Sequence, residues 1–412
     1  MNMKKLQCLI LCISLAAVLV ACGGESAESS HPVVQFEKVE KPAETPVEEE
    51  PVVEEEPEEE DPDIPPREGM VRDFFTNEWV EGDQNVKRPL AVMYPVNKQA
   101  QPQYGLDHVA VFYEIMEEGD MSRQMGILEN WEELERIGNI RSIRDYFIYA
   151  ALEYDPIIVH YGGPELYLYE NGGLLNRSVR DDINNVNGVG GKMGSDGGAF
   201  FRVPEGSTSE HTAFTDGAHI QAAMEKLNYQ ATHRNYYTGE KHFQFAPVNE
   251  VNTLEQYGAE AKSAVEVDMA GCYPATKSAL TYNESDGLYY KTLYGNKQID
   301  AASEEQLTFK NIVIQSTYYE KRDAKGYLAF KMHDTTRDGY FITEGKMIHI
   351  NWKKAATNVP EGYAEDHAAD YAPTRYYDDN GEEVLFNTGR TMIFVAKEDG
   401  SFTVDGTEVS LK

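Results

Sequence analysis

The sequence predicts an α/β (α+β) protein: a mixed helix–strand unit, then a β-rich antiparallel unit, both carried behind a disordered acidic tether. Three observations predict it. Residues 22–66 are dominated by Glu, Pro, Val and Ser, as in "ETPVEEEPVVEEEPEEEDPD", a composition too charged and too poor in apolar side chains to pack. Between residues 67 and 261, runs with strand alternation and runs with helical spacing take turns. From 262 to 412 the pattern changes, and Asp-Gly or Asn-Gly recurs at 286, 338, 380, 399 and 405, the strongest short-range hairpin signal.

The first residues address the chain. Lys4 and Lys5 precede an apolar run from Leu6 to Val20. The run falls short of the roughly 20 residues of a membrane span and suits a secretory signal peptide, here residues 1–21. Leu19-Val20-Ala21-Cys22 reads as a bacterial lipobox, with Cys22 the lipidation site. Acyl chains such as palmitate each contribute about 0.8 kcal/mol per buried CH₂, so a multiply acylated cysteine anchors stably. The expected location is the extracytoplasmic face of the cell membrane. Cys8 and Cys12 leave with the signal peptide, so Cys272 is the one free thiol of the mature chain and no internal disulfide can form. Its surroundings, "MAGCYPA", read as a small buried residue.

Charge bounds the partners. The chain carries net −33, and residues 64–412 alone carry −21. Nucleic acid is excluded as a partner because its recognition needs a basic face. Prolines and self-repulsion keep the tether extended, which would hold the folded body off the membrane.

Within the first unit, 88–96, 108–116 and 122–128 read as strands. Ser142 can cap a helix over 143–154, whose apolar positions Ile143, Phe147, Ile148, Ala151 and Tyr154 fall at helical spacing. A buried strand at 155–163 ends in glycines, and Pro164 opens a second short helix. Residues 197–203 read as a strand and 215–229 as a helix. In the second unit, runs such as "GLYYKTLY", "NIVIQSTYY", "GKMIHINWKK" and "RTMIFVA" read as strands joined by the Asp-Gly and Asn-Gly turns.

"GNIRSIRDYF" is the anomaly. Arg141 and Arg144 stand where a helix starts, although a helix N-terminus is already partly positive. A helix followed by a strand against it reverses direction, so the turn after strand 157–160 returns to that edge. His160 would then lie near both arginines, beside the helix at Pro164. Such a convergence suits an anionic carboxylate or phosphate. The other reading is structural: in so acidic a chain the arginines pair with neighbouring carboxylates such as Asp145, Asp155 or Glu114.

The segments "RPLAVMYPVNKQAQPQYGL", "VFYEIMEEGDMSRQMGIL", "IGNIRSIRDYF", "EYDPIIVHYGG", "WKKAATN" and "TRYYDDNGEEVLFNTGRTMIFV" together resemble the YerB-like lipoproteins of Firmicutes, a domain family of unknown function. The resemblance implies a layered αβ sandwich in two parts. It also implies that Arg141, Ser142 and Arg144 match an Arg-Ser-x-Arg motif, that His160, Gly162 and Gly163 match His-x-Gly-Gly, and that Glu114 and Arg123 match Tyr-Glu and Thr-Arg positions. Asp145 replaces a usual proline, and "YPVNKQAQPQ" lacks an early Asn-His pair.

Familiar catalytic signatures are missing: no Ser-x-x-Lys, no Gly-x-Ser-x-Gly and no His-Glu-x-x-His occurs. "NGVGGKMGSDGG" is not a phosphate loop, because Met193 follows its Gly-Lys. No cofactor or metal is expected. The leading reading is an envelope binding or scaffold protein whose ligand, a cell-wall fragment or an envelope protein, docks at Arg141, Arg144, His160, Gly162 and Gly163, with Glu114, Arg123 and His211 nearby. The alternative is a hydrolase or transferase on an anionic wall substrate, with Glu114 or His160 as general acid or base.

Overall fold

The strand Val109–Met116 is buried at every residue, so both of its faces are covered, as in the middle of a layered sheet. The computed structural model describes residues 63–411, other than 171, 178–179, 190–196, 204–208, 235–236, 238–241, 334 and 356–367. Cys22 and almost all of the tether lie outside the described residues, which fall in one compact unit.

Eleven strands form the central sheet. In spatial order ten of them are Lys262–Ser263, Lys346–Lys354, Thr335–Thr343, Asn311–Thr317, Thr391–Lys397, Val109–Met116, Ser122–Leu128, Leu90–Pro95, Ile157–His160 and Asn185–Asn187; Arg375–Tyr377 pairs with Lys346–Lys354. Strands from both halves of the chain therefore share one sheet. The junction is Thr391–Lys397, parallel both to Asn311–Thr317 and to Val109–Met116. The expectation of antiparallel pairing in the second half holds for the hairpins and fails at this junction, where a strand late in sequence is inserted between two earlier ones.

A second, antiparallel sheet runs Asn296–Lys297, Leu288–Leu293, Ala279–Asn283, Glu266–Asp268, Ser401–Val404 and Thr407–Ser410, with Thr308–Phe309 on Leu288–Leu293. Because alternate residues of a strand face opposite sides, Val109–Met116 serves two layers. Phe112 stacks on Phe309 and Glu114 meets Lys291, both beneath the second sheet. Tyr113 turns the other way, to the hydroxyl of Tyr154 in the helical layer. The result is a sheet-rich α+β sandwich.

Helices are few. Gly217–Leu227 starts where Asp216 accepts a bond from His219 N (2.7 Å) and ends at Asn228 in the left-handed conformation, standard chemistry for both ends. The helix expected over 143–154 is Asp145–Ala151, continued by a tight turn at Leu152–Tyr154. Ser142 does not cap it: Arg144 holds the N-cap position without a capping side chain, and Ser142 Oγ donates to Tyr161 O (3.1 Å). The Asp145 carboxylate instead supplies negative charge in the first turn, accepting from Tyr146 N (3.0 Å). The strand expected at 197–203 is confined to Phe201–Arg202. Among the described residues no helix is long and apolar enough to cross a membrane.

Asp338-Gly339 is not a turn. It lies inside Thr335–Thr343, and the hairpin closes at Glu344 and Gly345, both at positive φ. Gly339 is required there by space: a Cβ would stand 2.5 Å from the Ile314 carbonyl oxygen. Gly339→Ala is expected to destabilise the protein by about 1–3 kcal/mol, read from the urea midpoint; an unchanged midpoint would mean that the neighbouring strand can move aside.

Candidate functional site

The "GNIRSIRDYF" segment is held by backbone bonds to several other parts of the chain. Ile140 N donates to Ala213 O (2.8 Å) and Arg141 N to Met93 O (3.0 Å), while Tyr161 N donates to Arg141 O (2.9 Å) and Ile143 N to Gly162 O (3.1 Å). The turn after Ile157–His160 does return to the start of the helix, as the reversal of chain direction requires.

The two arginines part company. Arg144 Nε lies 2.9 Å from Glu118 Oε1, its second nitrogen reaches Glu118 Oε2 (2.5 Å), and Glu117 Oε2 is 3.3 Å away. Its charge is held by carboxylates from the turn after Val109–Met116, so the structural reading describes Arg144. Arg123 is buried, donating to Glu117 Oε1 (2.6 Å) and Ser142 O (3.0 Å), but its Nε has no partner. Arg141 is more open. Its side chain is 27% exposed and donates to the Glu210 carbonyl (2.8 Å), with the Glu210 carboxylate, itself 69% exposed, at 3.8 Å. Arg141 Nε is also unpartnered. Burial, followed by the charge of Arg123, lowers the Arg141 pKa. His211, buried beside them, has no partner for Nδ1, and burial with the Arg141 charge lowers its pKa. Arg202 is bonded to Thr212 Oγ1 (3.0 Å) and lies over the Tyr161 ring at 4.6 Å.

Arg141, Arg123 and His211 therefore converge. His160 does not join them. Its ring is fully buried, with Nδ1 at 2.8 Å from Gly162 O and Nε2 at 3.2 Å from Asn185 Oδ1, and burial lowers its pKa. Gly162 sits at φ +81°, and its N–H donates to Asn187 Oδ1 (2.9 Å). Gly163 has no room for a side chain, since a Cβ would meet Leu168 at 2.3 Å. The His-x-Gly-Gly turn is thus built to pass under the helix approach, and none of its three side-chain positions presents a group to a ligand.

Glu114 is likewise enclosed. It accepts from Ser122 Oγ (2.6 Å), Gln124 Nε2 (2.9 Å) and Ser278 Oγ (2.9 Å), and pairs with Lys291 Nζ at 3.0 Å; Lys291 also bonds Ser278. Burial lowers the Lys291 pKa, and the Glu114 charge opposes that. Glu114 and His160 are both fully buried and internally bonded, so neither side chain is exposed as the acid–base reading requires. Among the described residues no three His, Cys, Asp or Glu side chains are arranged to hold a metal.

Sequence reasoning missed Lys291, although the signal was present. In Leu288–Leu293 the residues Tyr289, Lys291 and Leu293 share the buried face, and a lysine at an inward position of an alternating strand needs a buried anion. It also missed Glu117 and Glu118, which follow the Val109–Met116 strand directly. Cys272 is buried as expected, its thiol donating to Ser401 O (3.1 Å), and burial pushes its pKa up to about 12.

Lys291→Met would leave the Glu114 charge without its cation and is expected to cost about 3–5 kcal/mol, with much of this recovered in the Glu114→Gln/Lys291→Met pair; urea unfolding of the three proteins checks it. His160, His233 and His242 all have pKa values lowered from 6.5, burial being the first cause for each. The unfolded chain therefore binds their protons first, so stability is full above about pH 6.5 and falls as pH drops below it. Melting temperatures between pH 7.5 and pH 5 test the sign; a rise toward pH 5 would contradict it.

Two family models match in order: "Protein of unknown function (DUF3048) N-terminal domain" over residues 75–230 and "Protein of unknown function (DUF3048) C-terminal domain" over residues 267–393. "Putative lipoprotein YerB" of Bacillus subtilis (strain 168) is 24% identical over 273 residues, covering 65% of this chain and 73% of that protein. The crystal structure of YerB protein from Bacillus subtilis superposes with a TM-score of 0.62 at 20% identity, covering 79% of this chain and 96% of that one, which shows a shared fold. The chain belongs to the DUF3048 family of proteins of unknown function, with its N- and C-terminal domains in order.

Proposed function

We propose that this protein is a lipid-anchored, extracytoplasmic binding protein of the cell envelope that docks an anionic group at Arg141, with Arg123 and His211 behind it. The anchor rests on the Leu19-Val20-Ala21-Cys22 motif and on the lipoprotein name carried by the Bacillus subtilis relative. One observation carries the binding reading. In a chain of net −33, where Arg88, Arg144, Arg180 and Arg234 are clamped by carboxylates, Arg123 Nε, Arg141 Nε and His211 Nδ1 gather without partners. Like charges brought together repel, and an anion relieves that repulsion. Glu210 is the weak counterweight: exposed, and 3.8 Å from Arg141, it can be displaced by a ligand oxygen that bonds the guanidinium directly. The ligand class is an anionic wall component or an acidic segment of an envelope protein. No chemical step is assigned.

Titration calorimetry with teichoic-acid and muropeptide fragments tests this reading. Arg141→Ala is expected to weaken binding by about tenfold or more, the value of one charge-assisted contact, while leaving the melting temperature nearly unchanged. Arg144→Ala is expected to do the reverse, because it frees Glu117 and Glu118 within the fold. Equal affinity of the wild type and Arg141→Ala for every anionic fragment would sink the site.

A further inference from the structure

A second recognition surface stands on different residues. A cleft of about 770 Å³, within the range of small-ligand pockets, opens between the turn at Tyr104–Asp107, the segment Glu133–Arg136 and the turn at Ala302–Ser303. Both halves of the chain build it. Asp300 ties them together, its carboxylate accepting from Leu106 N (2.7 Å) and Ala302 N (2.7 Å).

Arg136 is the distinctive group. Its guanidinium lies over Tyr104 at 4.8 Å and near Phe214 at 5.7 Å. Among the described residues it makes no hydrogen bond and no ion pair. A guanidinium held over aromatic rings by its charge keeps its N–H donors for other partners. The aromatic contacts thus fix the group in place while its donors remain open to the cleft, the geometry that recognises a carboxylate through two parallel bonds. Glu133 and Glu135, on either side of Leu134, line the same cleft and are exposed. Neither pairs with Arg136, although it is near in sequence. Asp107 adds a third carboxylate, whose charge reaches Arg390.

We propose that this cleft binds a short peptide with a free carboxylate and one or more ammonium groups. The carboxylate is held by Arg136, and the ammonium groups face Glu133 and Glu135. One guanidinium against four carboxylates, Asp300 included, disfavours a simple anion, and the unpaired guanidinium disfavours a simple cation. A ligand carrying both charges satisfies the two sides together. This inference does not depend on Arg141.

The experiment is calorimetric titration of the folded protein with the tripeptide Ala-Lys-Ala. It is repeated with its C-terminal amide, with its doubly acetylated form and with phosphoethanolamine. Free Ala-Lys-Ala is expected to bind. Loss of the carboxylate, or Arg136→Gln in the protein, is expected to reduce affinity by about tenfold or more. Acetylation, or the Glu133→Gln/Glu135→Gln pair, should weaken binding in the same direction. Circular dichroism of each variant establishes that it is folded. The proposal is overturned if the tripeptide does not bind, if its amide binds as well as the free acid, or if Arg136→Gln binds as the wild type does. It is also overturned if phosphoethanolamine binds and the peptide does not.

Discussion

The strand Thr391–Lys397 holds the molecule together. It enters between Asn311–Thr317 and Val109–Met116 in parallel register, with Phe394 opposite Glu114 and Val395 opposite Ile115. A strand so placed can complete its backbone hydrogen bonds only when both neighbours are already in position. The first and last parts of the chain are therefore one cooperative sheet. Tyr273, from the second layer, ties the same seam by donating to Glu114 O and Val395 O (2.8 Å each). The buried Glu114–Lys291 pair fixes which face of the central sheet meets the second one, because any slip would leave one charge alone in a dry interior.

Charge is managed by the same logic elsewhere. Asp155 is wholly buried among Arg88, Arg234 and His233. Burial opposes its ionisation, but the His233 hydrogen bond and the two arginines hold its pKa at about 2. Glu153 serves Lys354 and Thr374, and Arg180 serves Asp370. Most cations near the core of this acidic protein thus have a structural anion. Arg141 and Arg136 depart from that pattern for different reasons: one is crowded by its own kind, the other is held by aromatic faces instead of a carboxylate.

The two departures share a support. The small sheet Ile137–Gly138, Ala213–Thr215 and Phe201–Arg202 has Arg136 immediately before one strand and Arg141 shortly after it. His211 precedes the middle strand, whose Phe214 pairs with Gly138 and also underlies Arg136. Two short strands therefore position both candidate surfaces, and their precision comes from anchoring to the central sheet through Arg141 N and Met93 O.

Local sequence determined a good deal here. Runs such as 108–116 and 122–128 announced strands, and 215–229 announced a helix, because hydrophobic periodicity acts within a few residues. The return of the His160 turn to the helix start followed from chain reversal alone. Tertiary structure decided the rest. Gly339 reads as a hairpin turn beside Asp338, but strand pairing across the sheet uses it for close approach to Ile314. Arg144 and Arg141 look alike three residues apart, yet only Arg144 lies within reach of Glu117 and Glu118. His160 and Glu114 carry the residue types of acid–base chemistry, and their burial against Asn185 and Lys291 turns both into packing. Which charges meet, and which are left facing a cleft, depends on segments far apart in sequence. No local pattern encodes that proximity, so only the folded chain could separate the clamped arginine from the open ones.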